Sequence, residues 1–251
     1  MGNLKKIKIK LKGSSNLENQ NTFFFKTGLG DYAEHDKFIG VSVPTLRKIA
    51  KEYADLSFKD IQVLIKSKIN EERLLALIII VKQYQQSEED TCEKLYQFYM
   101  DNIQYVNNWN LVDSSAHLIV GAHLHKKNKS LLLTLAKSQI LWERRIAIIA
   151  TWYFIRKNDL SWTFKISKIL VNDKHDLIHK AVGWMLREAG KKDQPKLIDF
   201  LEIHAKKMPR TMLRYAIEKF PEEQRALYLT KQTPKAIDVK IANNKGSKIC
   251  Q

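Results

Sequence analysis

From residue 43 to residue 230 the apolar side chains recur at three- and four-residue spacing, the period of a helix with one buried stripe. The pattern predicts helices over 43–53, 57–67, 70–84, 88–102, 107–123, 128–137, 141–156, 161–171, 175–189, 193–205, 210–219 and 221–230. Short polar breaks such as Ser87-Glu88 and Lys191-Lys192-Asp193 separate them. Pro44 suits the first turn of its helix, and Asn107 and Asn108 can cap the run through Leu111, Val112, Ala116, Ile119 and Val120. Residues 4–12 instead alternate apolar and basic. As a strand they would put lysine on one face, and isolated at a terminus they read as a mobile basic arm. The expected division is a basic arm and linker over 1–22, a helical domain over 23–230 opening on the apolar Phe23-Phe24-Phe25, and a basic tail over 231–251.

A weak repeat organises the helices. Ala147, Ala181 and Ala216 are small mid-helix residues at separations of 34 and 35, and Ala76 lies 71 residues before Ala147. A two-helix unit of that length is what helical solenoids stack. On the same ruler the skipped unit falls at 112–113, where Asp113 stands. Two residues before the small position come Arg145, His179 and Arg214, which a solenoid would align along its concave surface. The expected fold is all-α: a right-handed helical solenoid of two-helix repeats with a concave basic groove.

Composition sharpens this. Only 9 Gly and 5 Pro argue against a turn-rich β fold. The net charge of +16, from 43 Lys+Arg against 27 Asp+Glu, attracts polyanions: nucleic acid first, anionic membrane second, acidic proteins third. Cys92 and Cys250 match no zinc spacing and no disulfide framework. The longest apolar run, Leu74 to Val81, is too short to span a bilayer. A cytoplasmic chain is expected, with no membrane partner, no metal and a monomeric fold. The Gly-x-Gly of Thr27-Gly-Leu-Gly-Asp31 lacks the lysine and the preceding strand of a phosphate loop.

The candidate chemistry sits where aromatic residues and charges interleave. Trp109 and Asp113, four residues apart, share one helix face. Arg144 and Arg145 follow Trp142; Lys180 and Arg187 bracket Gly183 and Trp184; Arg210 and Arg214 precede Tyr215. Arginine beside an aromatic ring is a nucleic-acid pattern, guanidinium for phosphate and ring for base. Trp152 and Trp162 read as core residues, and Asp113 can cap a helix or pair with Arg145.

The ordered motifs Phe38-x-Gly-Val-x-Val-Pro44, Asn108-Trp-x-Leu-Val-Asp-Ser-Ser115, Trp142-x-Arg-Arg-x-Ala147, Lys180-Ala-x-Gly-Trp-x-Leu-Arg187 and Met208-Pro-Arg-Thr-Met-Leu-Arg-Tyr-Ala-Ile-Glu218 resemble the DNA alkylation repair glycosylases, the AlkD-like family of HEAT-like repeats. The resemblance spans residues 23–230. It implies a DNA glycosylase that hydrolyses the N-glycosidic bond of N3- or N7-alkylated purines in double-stranded DNA, without metal or organic cofactor. It implies Asp113 as the catalytic carboxylate, Arg145 as its cationic partner with a fork of donors suited to phosphate, and Trp109 with Trp184 as aromatic walls around the lesion. Lys180, Arg187, Arg144, Arg210 and Arg214 are expected to hold the DNA backbone. Some relatives of this family lack activity, so the competing reading is a non-catalytic helical-repeat binder of damaged or branched DNA. A scaffold for an acidic protein or RNA is the third.

Overall fold

A computed structural model describes residues 2–16 and 25–230. The expected tail over 231–251, most of the linker, and Phe23 and Phe24 lie outside the described residues. All regular elements among the described residues are helical: α1 (Asn3–Gly13), α2 (Val43–Glu52), α3 (Phe58–Ile65), α4 (Asn70–Gln86), α5 (Glu89–Asp101), α6 (Trp109–Ser115), α7 (Ala122–Leu124), α8 (Ser130–Ala136), α9 (Leu141–Arg156), α10 (Ser161–Leu170), α11 (Asp176–Gly190), α12 (Gln194–His204), α13 (Arg210–Ala216) and α14 (Glu222–Leu229). A π-helical stretch, His117–Gly121, joins α6 to α7, so 109–124 runs as one rod with a single wider turn.

The helices stack in two rows. In the inner row α2, α4, α6, α9, α11 and α13 each pack on the next, while α3, α5, α8, α10 and α12 flank them from behind. This is the helical-repeat stack that the repeat spacing predicts. Position in the stack explains the sequence of α4 and α9. Each is buried on nearly every side along its middle turns, 74–81 and 145–151, as a helix with neighbours all round must be.

Two glycines set how closely the inner row packs. A Cβ on Gly183 in α11 would lie 2.5 Å from the Met212 carbonyl oxygen and 2.5 Å from Tyr215 Cβ, both in α13. A Cβ on Gly121 would lie 2.2 Å from the Ala150 carbonyl oxygen and 2.9 Å from Tyr153 Cβ, both in α9. Every member of the second contact recurs 62 residues later in the first, so the close approach belongs to the stack. Helix propensity alone favours alanine over mid-helix glycine by about 1 kcal/mol. Backbone against backbone has no side chain to move aside, and overpacking costs about 1–3 kcal/mol. Gly183→Ala is therefore expected to lower stability by up to about 2 kcal/mol, read as an earlier urea midpoint at unchanged slope. A stabilised variant would show that α13 can retreat freely.

The N-terminal segment departs from expectation. Residues 4–12 form most of α1, neither strand nor loose arm, with Ile7 and Leu11 fully buried in the core and Leu4 packed against it. The 4-7-11 positions make a helical stripe, while Ile9, the apolar residue that a strict alternation would also bury, is 55% exposed. Lys10 pairs with Glu52, and Lys8 lies 3.8 Å from Glu72. In the loop after it, Gly28 N–H donates to Asp31 Oδ2 and Gly30 N–H to Glu34 Oε2, so these amides are engaged within the loop itself.

Candidate functional site

The N-terminus of α6 is held from below by a buried polar hub that the sequence reading missed. The Asp36 carboxylate has no solvent exposure and pairs with Arg73, itself 2% exposed. Asn70 Nδ2 donates to Asp36 Oδ2 at 2.9 Å and Asn108 Nδ2 at 2.6 Å. Asn108 is also the residue that caps α6, its Oδ1 accepting from the Trp109 N–H at 2.7 Å. Asn110 Nδ2 donates to Asn70 Oδ1 at 2.7 Å, tying the first turn of α6 to α4. Asp36, Arg73 and Asn108 come from three distant stretches, so no local spacing could announce them.

On the helix that this hub anchors, Trp109 and Asp113 face the same cavity, as their four-residue spacing predicts. It has a volume of about 620 Å³. Phe38, Glu71, His117, Trp152, Arg47 and Arg156 also line it, together with apolar residues of α2 and α4. Phe25 stacks on Phe38 at 4.5 Å and on Trp109 at 5.0 Å, closing one side with three rings. Gly40 turns the Phe38 loop back toward α2 with a φ of 74°, a conformation for which glycine is the residue at no steric cost.

Asp113 is held by Arg145 in a two-point contact. Nε donates to Oδ1 at 2.9 Å and Nη2 to Oδ2 at 2.7 Å, while Nη1 reaches the Leu177 carbonyl. Arg145 is 5% exposed. Its fork, expected on phosphate, is thus taken up by Asp113 from the preceding repeat, and its third nitrogen by α11. The result is an oriented carboxylate whose position depends on three inner-row helices, and charge-assisted forks of this kind are the strong ones.

The other residues singled out from sequence divide. Trp184 lies beyond the lining, edge-on to Trp152 at 4.9 Å, and Trp152, read as core, takes the wall position. The stacking order of α9 and α11 decides this, since α9 is the nearer neighbour of α6. Arg144 donates to Asp173 at 2.7 Å and to the carbonyls of Ser138 and Gln139, fastening the α8–α9 turn. Lys180 pairs with Asp176 at 2.7 Å, and Arg187 with Glu218 and Glu188. Arg210 and Arg214 are exposed, with no ion pair among the described residues. The lining itself contributes two cations that the motifs did not mark, Arg47 and Arg156, the latter 5.4 Å over the Trp152 ring. Among the described residues no group of three acidic, histidine or cysteine side chains is arranged to hold a metal ion, and no helix is long and apolar enough to cross a membrane.

His117 stands one turn beyond Asp113, 6% exposed and tilted against Trp152 at 4.4 Å. Burial, followed by the positive charge of Arg156, pushes its pKa down to about 4 from 6.5, against a backbone contact with Asp113. The unfolded chain therefore binds a proton that the folded chain refuses between those two values, and stability falls as pH drops through that window. At about pH 5 this one residue costs about 2 kcal/mol relative to neutral pH. His117→Phe keeps a ring against Trp152 and removes the titration. The stability gap between wild type and variant, from urea unfolding at both pH values, should shift by that amount in favour of the variant at the lower pH. A pH-independent gap would place the imidazole in water.

The family of DNA alkylation repair enzymes matches this chain over residues 8–220, which takes in most of α1. Among solved structures, a predicted DNA alkylation repair enzyme from Enterococcus faecalis has a similar fold, with a TM-score of 0.64 at 14% identity over 83% of this chain and 98% of its own. No curated protein matches.

Proposed function

The chain belongs to the DNA alkylation repair enzyme family, and from that membership we propose that it is a DNA glycosylase that hydrolyses the N-glycosidic bond of N3- or N7-alkylated purines in duplex DNA. The observation that most supports this reading is Asp113, a carboxylate held at two points by Arg145 on the wall of an aromatic cavity. An alkylated purine already carries positive charge and leaves without strong acid assistance. Positive charge then develops on the deoxyribose, as in other glycoside hydrolyses. A carboxylate locked in one orientation beside that sugar stabilises the charge and can direct the attacking water. Trp109 and Trp152 would favour a cationic ring by about 0.5–2 kcal/mol per contact. Arg47, Arg156, Arg210 and Arg214 have no carboxylate partner among the described residues, which suits a sequence-independent, salt-sensitive grip on phosphate. In this reading the protein works as a cytoplasmic monomer on DNA.

The test is release of methylated purines from alkylated duplex DNA by wild type and by Asp113→Asn. Release by wild type and near-silence from the variant support the enzyme. Wild type that binds alkylated DNA and releases nothing overturns it. A second reading, a non-catalytic binder of damaged DNA, is favoured by the same contact, because an Asp113 engaged twice by Arg145 is also what a structural ion pair looks like.

A further inference from the structure

Arg144, Arg145, Lys180 and Arg187 each end on a carboxylate of the chain itself. A second group of cations does not. Lys37, Lys66 and Lys68 gather round a surface pocket of about 380 Å³, with the buried Arg73 also in its lining. None of the residues lining it is acidic, and the three lysines have no ion pair among the described residues. Asp36, the carboxylate next to Lys37 in the chain, is fully buried and taken by Arg73.

The backbone, not charge, brings these lysines together. The Lys37 N–H donates to the Lys68 carbonyl at 3.0 Å and the Asn70 N–H to the Lys37 carbonyl at 2.8 Å, an isolated parallel bridge that fixes Lys37 beside the 66–68 turn. Lys66, at the end of α3, lies 5.9 Å over the Tyr105 ring. Like charges held close repel one another, and an anion that enters among them relieves the repulsion. Each ammonium offers three donors and no acceptor, which matches the oxygens of a phosphate.

This pocket and the Asp113 cavity meet at the same polar hub. Arg73 lines the pocket and Asn70 the cavity, while Asn107 lines the pocket and Trp109, two residues on, the cavity. We propose that Lys37, Lys66 and Lys68 form a phosphate site that grips one phosphodiester of duplex DNA beside the cavity. Phosphate contacts fix the register of a protein on a duplex, so this grip sets which sugar faces Asp113. The inference deepens the proposed function and rests on its choice of DNA as ligand, but not on base hydrolysis.

The full chain is compared with two variants of equal charge, Lys66→Ala/Lys68→Ala in the pocket and Lys59→Ala/Lys94→Ala on the outer helices α3 and α5. All four lysines are exposed, and matching melting curves check that each variant is folded. An unmodified fluorescent duplex is titrated between about 0.05 and 0.2 M salt and followed by anisotropy. Losing one phosphate contact should lower the slope of log affinity against log salt by about 1 and weaken binding about tenfold at the lowest salt. The outer pair should leave both nearly unchanged. Equal losses from the two variants would mean that net charge rather than the pocket attracts DNA, and they overturn the proposal. An unchanged slope in the pocket variant does the same. If that variant instead loses binding to inorganic phosphate or to phosphatidylserine vesicles while its DNA slope stays, the pocket serves another phosphate and the proposal fails. Wild type that binds no duplex sinks this inference and the glycosylase reading together. A slope change confined to the pocket variant, with no base release by wild type, keeps this site and sinks only the glycosylase reading.

Discussion

Asp113→Asn is expected to cut base release by about 10²–10³-fold, the usual loss when one oriented electrostatic contact to a transition state is removed. The substitution keeps the shape of the side chain and deletes its charge. Asparagine can still accept from Arg145 Nε, but its amide nitrogen then confronts the Nη2 donor that now meets Oδ2 at 2.7 Å. With Arg145 only 5% exposed, that mismatch should cost about 1–3 kcal/mol of stability. Melting and DNA affinity must therefore be measured beside activity. Alkylated-duplex affinity is expected within about threefold of wild type, because phosphate contacts carry it. If release falls only in proportion to the folded fraction, Asp113 is a structural residue and the non-catalytic reading stands.

Asp36→Ala should be the most destabilising single change outside the apolar core, at about 3–5 kcal/mol. It removes the counter-charge of the buried Arg73 and the acceptor shared by Asn70 and Asn108. Breaking a buried pair costs more than the pair is worth, because the surviving charge has no water to return to. A fall of about 10 °C in melting temperature is expected for a chain of this size. The damage should centre on the N-terminus of α6, since Asn108 loses its anchor and with it the orientation in which it caps Trp109. A loss under about 1 kcal/mol would mean that water replaces the carboxylate and that the hub is not closed. Glu71, which works beside the hub, carries the opposite burden: its buried carboxyl destabilises the free protein at neutral pH, and that burden eases as pH falls.

The helices were legible because each carries its evidence within a few residues. Stripes at three- and four-residue spacing, Pro44 and the Asn108 cap placed them to within a few positions. The repeat was legible because Ala147, Ala181 and Ala216 sit where inner-row helices meet. Asp113 and Arg145 surfaced as potential partners by opposite charge, and the packing of α6 on α9 brings them together. Residues 4–12 misled because their alternation contains a helical stripe, and only the presence of a core beneath Ile7 and Leu11 chooses between the two periods. Trp152 and Trp184 were not separable by spacing, as both occupy inner-row helices and differ only in which lies nearer α6.

By itself, then, the sequence determined the all-helical stack and the shared helix face of Trp109 and Asp113, which follow from periodicity, and the family, which follows from the resemblance of its ordered motifs. Tertiary structure alone decided where each charge ends. It gave the fork of Arg145 to Asp113, tied Arg144 to Asp173, and enclosed Asp36 with three partners. It also left Glu71 in the lining of the cavity with no ion pair among the described residues. Ion pairing depends on distance through space and on the loss of water, and neither is written in the spacing of residues along a chain.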